Sequence, residues 1–248
     1  MFRALYVSLL IITALALPVR AEEDPMTILV TGANRGIGLE LARQLTGQGH
    51  RVIGTARNPV EAKELEALGA EVMQLDVTDA GSVAALAAGL EGRPIDILIN
   101  NAGTGGQPPG SLQETDFERV KLTFHVNSIG PMRVSQALLP NLLAGEGKTI
   151  IHISSIMGSI ASNGGGYYGY RASKAALNML NSSLALELKD QGVTSVVLHP
   201  GWVQTRMGGP SAQISVEVSV EGMLKVISGL GLEQSGHFYD YQGNELPW

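Results

Sequence analysis

Short apolar runs alternate with longer amphipathic stretches from Met26 onward, and this alternation predicts the secondary structure. The runs Ile28–Val30, Ile95–Ile99 and Val196–Leu198 are almost continuously apolar, as is typical of strands buried on both faces. We predict seven strands: Thr27–Val30, Arg51–Ala56, Glu71–Asp76, Ile95–Asn100, Thr149–Ser154, Thr194–His199 and a short one near Gly236–Tyr239.

Helical stretches separate these strands. The predicted helices are Gly36–Gln48, Val60–Leu68, Ala80–Leu90, Phe117–Leu143, Tyr168–Lys189 and Val216–Ser228. Strand–helix alternation at this spacing predicts right-handed crossovers and a parallel sheet covered by helices on both faces. We therefore predict a single α/β domain over residues 26–248, a doubly wound Rossmann-type sheet of about seven strands.

Composition and charge narrow the function classes. With 44% hydrophobic and 16% charged residues, the 248-residue chain is globular rather than disordered. A net charge of −6 without a Lys/Arg cluster argues against nucleic-acid binding. The chain has no Cys, and its five His show no ligand spacing, so we predict no metal site.

The first residues are typical of a signal peptide. A short positive start, Met1–Arg3, precedes the apolar run Ala4–Val19 and a cleavage-site pattern ending at Ala21. A leader over residues 1–21 predicts an exported protein, or a membrane-associated one if the leader is an uncleaved anchor. The alternative is translation from Met26, directly before the first predicted strand, which predicts a cytoplasmic protein.

A glycine-rich loop, Thr31–Gly38, joins the first strand to the first helix. Its first glycine permits a sharp turn, its second lets the backbone approach a pyrophosphate, and its third lets the helix pack closely on the sheet. The spacing is wider than in the common fingerprint, but the strand–loop–helix context predicts dinucleotide binding. The candidate cofactor-binding residues here are Gly32, Asn34, Arg35, Gly36, Ile37 and Gly38.

The end of the second strand bears on the choice of cofactor. An acidic residue there would bind a ribose 2′-hydroxyl, but this chain has Ala56 followed by Arg57. Together with Arg35, Arg57 favours a 2′-phosphate, hence NADP, with NAD possible. The alternative is that either arginine is only a solvated surface side chain.

Further motifs follow the later strands. They are Asp76-Val77, Asn100–Gly103, Asn127, Ser155, Tyr170-x-x-x-Lys174 and Pro200-Gly201. With the glycine loop, they resemble the short-chain dehydrogenase/reductase family from Met26 to Trp248. The stretches Ser154–Ile160, Tyr170–Asn178 and Leu246–Trp248 resemble its C-factor-like and sniffer-like group.

The resemblance implies roles for several residues. Asp76 and Val77 would hold the adenine, and Lys174 the cofactor ribose. Asn127 would support a water that relays protons to Lys174. The remaining implied cofactor contacts are Asn101, Ala102, Gly103, Pro200, Gly201, Val203 and Thr205. The family also implies that the chain can form a homo-oligomer through its two long helices.

Tyr170 and Lys174 are the candidate acid–base pair on physical grounds as well. Four residues apart on a helix, they share a face. A free phenol titrates near pH ~10, so a neighbouring ammonium and a positive nicotinamide are expected to lower its pKa. Tyr170 then donates a proton to a carbonyl oxygen, and Ser155 stabilises the developing charge.

The spacing of the serine leaves alternatives. The family more often has Ser and Tyr two residues closer, but Tyr168 has Ala172 four residues on instead of Lys. We therefore place a two-residue insertion in Asn163–Gly166 and keep Tyr170. Ser154 is the alternative to Ser155, and Ser159 a weaker one.

These motifs predict an enzyme that reduces a carbonyl or oxidises an alcohol with NADP(H). The substrate is a small molecule, by default a small or medium hydrophobic carbonyl, and the segment with Met207–Pro210 forms its lid. The alternative is a non-catalytic dinucleotide-binding protein that acts in signalling or redox sensing.

Overall fold

A parallel sheet forms the centre of the domain. The computed structural model describes residues 24–106 and 110–248. The strands are β1 (Thr27–Val30), β2 (Arg51–Ala56), β3 (Glu71–Gln74), β4 (Ile97–Asn100), β5 (Thr149–Ile153), β6 (Thr194–His199) and β7 (Phe238–Asp240). They pair in the order β3-β2-β1-β4-β5-β6-β7, and all pairs are parallel. This order confirms the predicted Rossmann-type sheet.

Helices cover both faces of the sheet. They are α1 (Gly36–Gly47), α2 (Lys63–Ala67), α3 (Ala80–Gly89), α4 (Phe117–Phe124), α5 (Gly130–Ala144), α6 (Tyr168–Leu188) and α7 (Val216–Ser228). Alternate residues of β1 enter two separate cores. Ile28 and Val30 pack with α1, α2 and α7, whereas Leu29 packs with α3 and α5. The apolar run of β1 therefore stabilises both layers.

Three predicted strands are shorter than expected, and β5 loses only its last residue, Ser154. β4 begins at Ile97 instead of Ile95, because the Ile95 N–H donates to the Asn141 carbonyl (3.0 Å) and not to a neighbouring strand. β3 ends at Gln74 instead of Asp76, whose N–H donates to the Ser82 hydroxyl (2.8 Å).

The predicted helix Phe117–Leu143 is not continuous. A π-helical turn, His125–Ile129, separates α4 from α5. Such turns hold one extra residue and often occur at functional sites. The candidate residue Asn127 lies within this turn.

The predicted leader, residues 1–21, lies outside the described residues. Among residues 24–106 and 110–248, no helix combines the length and apolar character needed to cross a membrane. Within the same ranges, no cluster of three or more His, Asp or Glu side chains could hold a metal ion.

Candidate active site

The glycine loop and the loop after β4 meet at the carboxyl edge of the sheet, where the strand order reverses between β1 and β4. The Thr31 hydroxyl accepts hydrogen bonds from the N–H groups of Asn101 and Ala102, both at 3.0 Å. The Asn101 amide donates to the carbonyls of Thr31 (2.9 Å) and Gly32 (3.1 Å). Ligands bind at this reversal point in open α/β sheets.

Two of the loop glycines are required by their surroundings. Gly32 has a φ of +63°, and a Cβ there would lie 3.0 Å from the Ala102 Cα. A Cβ at Gly38 would overlap the Gly32 carbonyl oxygen and the Asn101 amide. A side chain at either position would therefore push the two loops apart.

The amino end of α1 suits an anion. Arg35 precedes the helix with an extended backbone, and no side chain of the described residues caps its first N–H groups. No acidic residue lies in the first turn. These free donors and the helix dipole favour a bound phosphate.

Three arginines lie near this helix end. The pKa of Arg35 is lowered, mainly by its partial burial. The positive charge of Arg206 contributes next, and that of Arg57 contributes least. Arg57 also lies within electrostatic reach of Asp76, whose pKa is lowered mainly by a hydrogen bond from Thr78. The structure therefore brings the predicted pair Arg35 and Arg57 together and adds Arg206, which the sequence analysis missed.

The predicted adenine-side residues lie after β3. The Asp76 carboxylate accepts from the Thr78 N–H (2.9 Å) and hydroxyl (2.7 Å). Val77 is buried, and its carbonyl accepts from the Arg133 guanidinium at 3.1 Å. Arg133, on α5, is a second residue that the sequence analysis missed, and it fixes this turn against the helix.

The three candidate serines point to different partners. Ser155 caps a short turn by accepting from the Met157 N–H (3.2 Å), and its hydroxyl lies close enough to the Tyr170 phenol to lower the pKa of that phenol. Ser154 donates to the Asn178 amide oxygen (2.6 Å), and Ser159 to the carbonyl of Trp248 (3.3 Å). Ser155 is therefore the serine that meets the phenol.

Tyr170 and Tyr168 differ in their surroundings. The Tyr168 side chain is 50% exposed, whereas Tyr170 lies against Ser155. Burial raises the pKa of the Tyr170 phenol, and the hydrogen bond with Ser155 opposes that rise. The sequence predicted a lowered pKa for a phenol beside both Lys174 and a bound nicotinamide. In the protein without cofactor, burial raises the pKa instead, and the Lys174 Nζ lies 6.0 Å from the ring centroid.

Lys174 is buried beside this phenol. Its side chain is almost inaccessible, and Nζ donates to the Ile153 carbonyl at 2.7 Å. Burial lowers the pKa of Lys174 from 10.5 to about 8. The ammonium is therefore held at the end of β5, next to Ser155, at a substantial desolvation cost.

Asn127 is fixed from three directions. Its side-chain oxygen accepts from the Thr104 N–H (2.8 Å), and its NH₂ donates to the Thr104 carbonyl (2.9 Å) and the Ser173 hydroxyl (3.1 Å). A Cβ at Gly103 would lie 3.5 Å from that oxygen and 4.0 Å from the Lys174 Nζ. The loop after β4 thus passes both Asn127 and Lys174.

The loop after β6 lies beside the glycine loop. Pro200 is held by the Ser219 hydroxyl (2.6 Å), Gly201 has a φ of +84°, and Val203 pairs with Ile214. The Thr205 methyl lies 3.6 Å from where a Cβ at Gly36 would be. The loops after β1, β4 and β6, which carry predicted cofactor residues, therefore lie next to one another at the carboxyl edge of the sheet.

The carboxyl edge of the sheet thus combines two chemical capabilities. One end offers free N–H groups and positive charge to a phosphate-bearing ligand. At the other end, the Tyr170 phenol and the Ser155 hydroxyl lie beside the buried Lys174 ammonium, an arrangement that can protonate an oxygen and stabilise its developing charge.

Comparisons with known proteins agree with this geometry. The short chain dehydrogenase family matches residues 26–214. The chain is 51% identical over 156 residues to C-signal of Myxococcus xanthus, covering 62% of this chain and 93% of that protein.

Two solved structures share the fold. The carbonyl reductase Sniffer of D. melanogaster matches with a TM-score of 0.86 and 35% identity, covering 90% of this chain and 100% of that one. The NADPH-bound carbonyl reductase from chicken fatty liver matches with a TM-score of 0.83 and 36% identity, covering 90% and 99%.

Proposed function

The chain belongs to the short chain dehydrogenase family and is an oxidoreductase, and we propose that it reduces a small-molecule carbonyl with NADPH. The observation that carries the proposal is the approach of the Ser155 hydroxyl to the Tyr170 phenol beside buried Lys174. It lies at the same sheet edge as the glycine loop. Structural relatives that are carbonyl reductases support the reaction class.

The residues present fit the cofactor. The uncapped end of α1 suits a pyrophosphate, and the absence of a side chain at Gly38 keeps the cradle open. Arg35 and Arg57 suit a 2′-phosphate, which supports NADP over NAD. When bound, NADPH would supply the hydride that reduces the carbonyl carbon.

Tyr170 is proposed as the proton donor to the carbonyl oxygen. Its raised pKa keeps the phenol protonated at neutral pH, which suits the reduction direction. Ser155 would donate a hydrogen bond to the same oxygen as negative charge develops.

Lys174 and Asn127 are proposed to support this step. The Lys174 ammonium favours the phenolate left after proton transfer and would bind the cofactor ribose. Asn127, held by Thr104 and Ser173, would support the water that returns protons to Lys174.

A Tyr170→Phe variant, with Tyr168→Phe as the matched control, tests the proposal. NADPH oxidation is followed with a panel of carbonyls, and NADPH binding by its fluorescence. We expect Tyr170→Phe to bind NADPH without turnover and Tyr168→Phe to retain activity. Turnover by Tyr170→Phe would contradict the acid assignment. A wild-type protein that binds NADPH but reduces no carbonyl would favour the non-catalytic signalling alternative.

The leader and the compartment are a separate proposal. The Pro25 carbonyl accepts from the Arg51 guanidinium (3.0 Å), so the described domain begins just before β1. N-terminal sequencing of the native protein should find Glu22 if residues 1–21 are cleaved on export. A start at Met26 or Thr27 would instead support a cytoplasmic enzyme.

Self-association is also proposed. Helices α4 and α6 expose the apolar side chains of Phe117, Leu122, Met179 and Leu186. Large exposed apolar side chains of this kind suit a protein interface. Light scattering on the purified domain should give at least twice the monomer mass, and a monomer would contradict the proposal.

A further inference from the structure

Arg206 lies in a turn whose shape is fixed by hydrogen bonds. The Thr205 hydroxyl accepts from the Gly208 N–H (3.1 Å), and the Thr205 carbonyl accepts from the Gly209 N–H (2.9 Å). The Trp202 indole donates to the Gly208 carbonyl (2.9 Å). The turn therefore sets the direction in which Arg206 leaves the backbone.

This turn rests on the glycine loop. The Thr205 methyl lies 3.6 Å from where a Cβ at Gly36, the first residue of α1, would be. Arg206 is the next residue, and its charge affects Arg35 more strongly than that of Arg57 does. Arg57, at the end of β2, and Arg206 thus both lie within electrostatic reach of Arg35.

The positive charges here have no ion-pair partner. Among residues 24–106 and 110–248, no carboxylate lies within ion-pair distance of Arg35, Arg57 or Arg206. Three guanidinium groups near a helix amino end repel one another unless an anion neutralises them. Arginine binds phosphate through paired N–H groups, so a phosphate-bearing ligand matches the chemistry.

We propose that Arg206 binds the pyrophosphate of the dinucleotide, clamping it between the loop after β6 and the amino end of α1. The inference rests on the proposed NADP(H) cofactor. Thr205 anchors Arg206 beside Gly36, at the pyrophosphate end, whereas Arg57 lies at the ribose end. Arg206 therefore recognises a group that NADPH and NADH share.

Equilibrium titrations with NADPH and NADH test this assignment. The variants are Arg206→Gln, Arg206→Lys, Arg57→Gln and the control Arg119→Gln, which removes an exposed guanidinium from α4. We expect Arg206→Gln to weaken both cofactors about tenfold, or about 1.4 kcal/mol. Arg206→Lys keeps the charge but loses the paired donors, so its loss should be smaller.

The pattern across the two cofactors decides the outcome. Arg57→Gln should weaken NADPH selectively, and Arg119→Gln neither cofactor. Unchanged binding by Arg206→Gln, or a loss confined to NADPH, would overturn the pyrophosphate assignment while leaving the proposed function intact. A wild-type protein that binds neither cofactor would overturn both. Because the readout is binding, the test does not depend on turnover.

Discussion

The Lys174→Met substitution measures how strongly the buried ammonium destabilises the fold. Lys174 has one hydrogen bond, from Nζ to the Ile153 carbonyl, and its pKa is lowered from 10.5 to about 8 by burial. Below pH 8, the lysine is charged in both the folded and the unfolded protein, and the burial penalty is fully present. Between pH 8 and 10.5, the unfolded protein binds more protons, so stability rises with pH.

The size of the effect follows from the pKa. A fall from 10.5 to about 8 corresponds to about 3 kcal/mol of destabilisation at pH 7. Methionine removes this penalty but leaves the Ile153 carbonyl without its donor, which costs about 1–3 kcal/mol. We therefore expect Lys174→Met to be about 1 kcal/mol more stable than wild type at pH 7 and less stable at pH 10.

Urea unfolding of both proteins at pH 7 and pH 10 provides the measurement, with Lys63→Met on the exposed surface of α2 as the control. The control should show the same stability difference at both pH values. Turnover by Lys174→Met should collapse although its stability at pH 7 rises. A stability difference between Lys174→Met and wild type that is the same at both pH values would refute the reasoning.

Two further substitutions, each with a control, separate chemistry from structure. Ser155→Ala should lower kcat about 100-fold, as for other lost oxyanion donors, whereas Ser154→Ala should keep kcat and lose about 1–2 kcal/mol of stability with its Asn178 hydrogen bond. Comparable kcat losses would contradict the assignment. Gly38→Ala should abolish NADPH binding because its Cβ would overlap the Gly32 carbonyl oxygen. The control Gly47→Ala, where a Cβ meets nothing within 4 Å, should bind NADPH normally. Both variants are titrated with NADPH by fluorescence, and binding by Gly38→Ala would contradict the prediction.

Local pattern was enough to predict the sheet but not all of its edges. The apolar triplet Ile28–Val30 marks β1 because both faces of that strand are buried. Ile95 is equally apolar and equally buried, yet its N–H donates to the carbonyl of Asn141, which lies 46 residues further along the chain in α5. Strand ends depend on such long-range hydrogen bonds, which periodicity does not contain.

In the candidate site, too, local sequence pattern predicted some features, whereas contacts between distant segments were not predictable. Tyr170 and Lys174 are close in sequence, so helix periodicity predicted their common face. The sequence did not single out Arg206 or Ser173. Arg206 follows Thr205, whose methyl group lies near Gly36. Ser173 accepts a hydrogen bond from Asn127, which lies in the π-helical turn. The sequence signal for Arg206 was its position directly after the candidate cofactor residue Thr205.

The π-helical turn explains how one chain segment serves both the core and the site. A regular helix advances about 100° per residue, so the extra residue in His125–Ile129 rotates α5 by about that angle relative to α4. Val134 and Leu138 of α5 then face the core, while Asn127 still reaches Thr104 and Ser173. An uninterrupted α-helix could bury Val134 and Leu138 or direct Asn127 to Thr104 and Ser173, but not both. The apolar periodicity across Phe117–Leu143 therefore cannot by itself predict where Asn127 points.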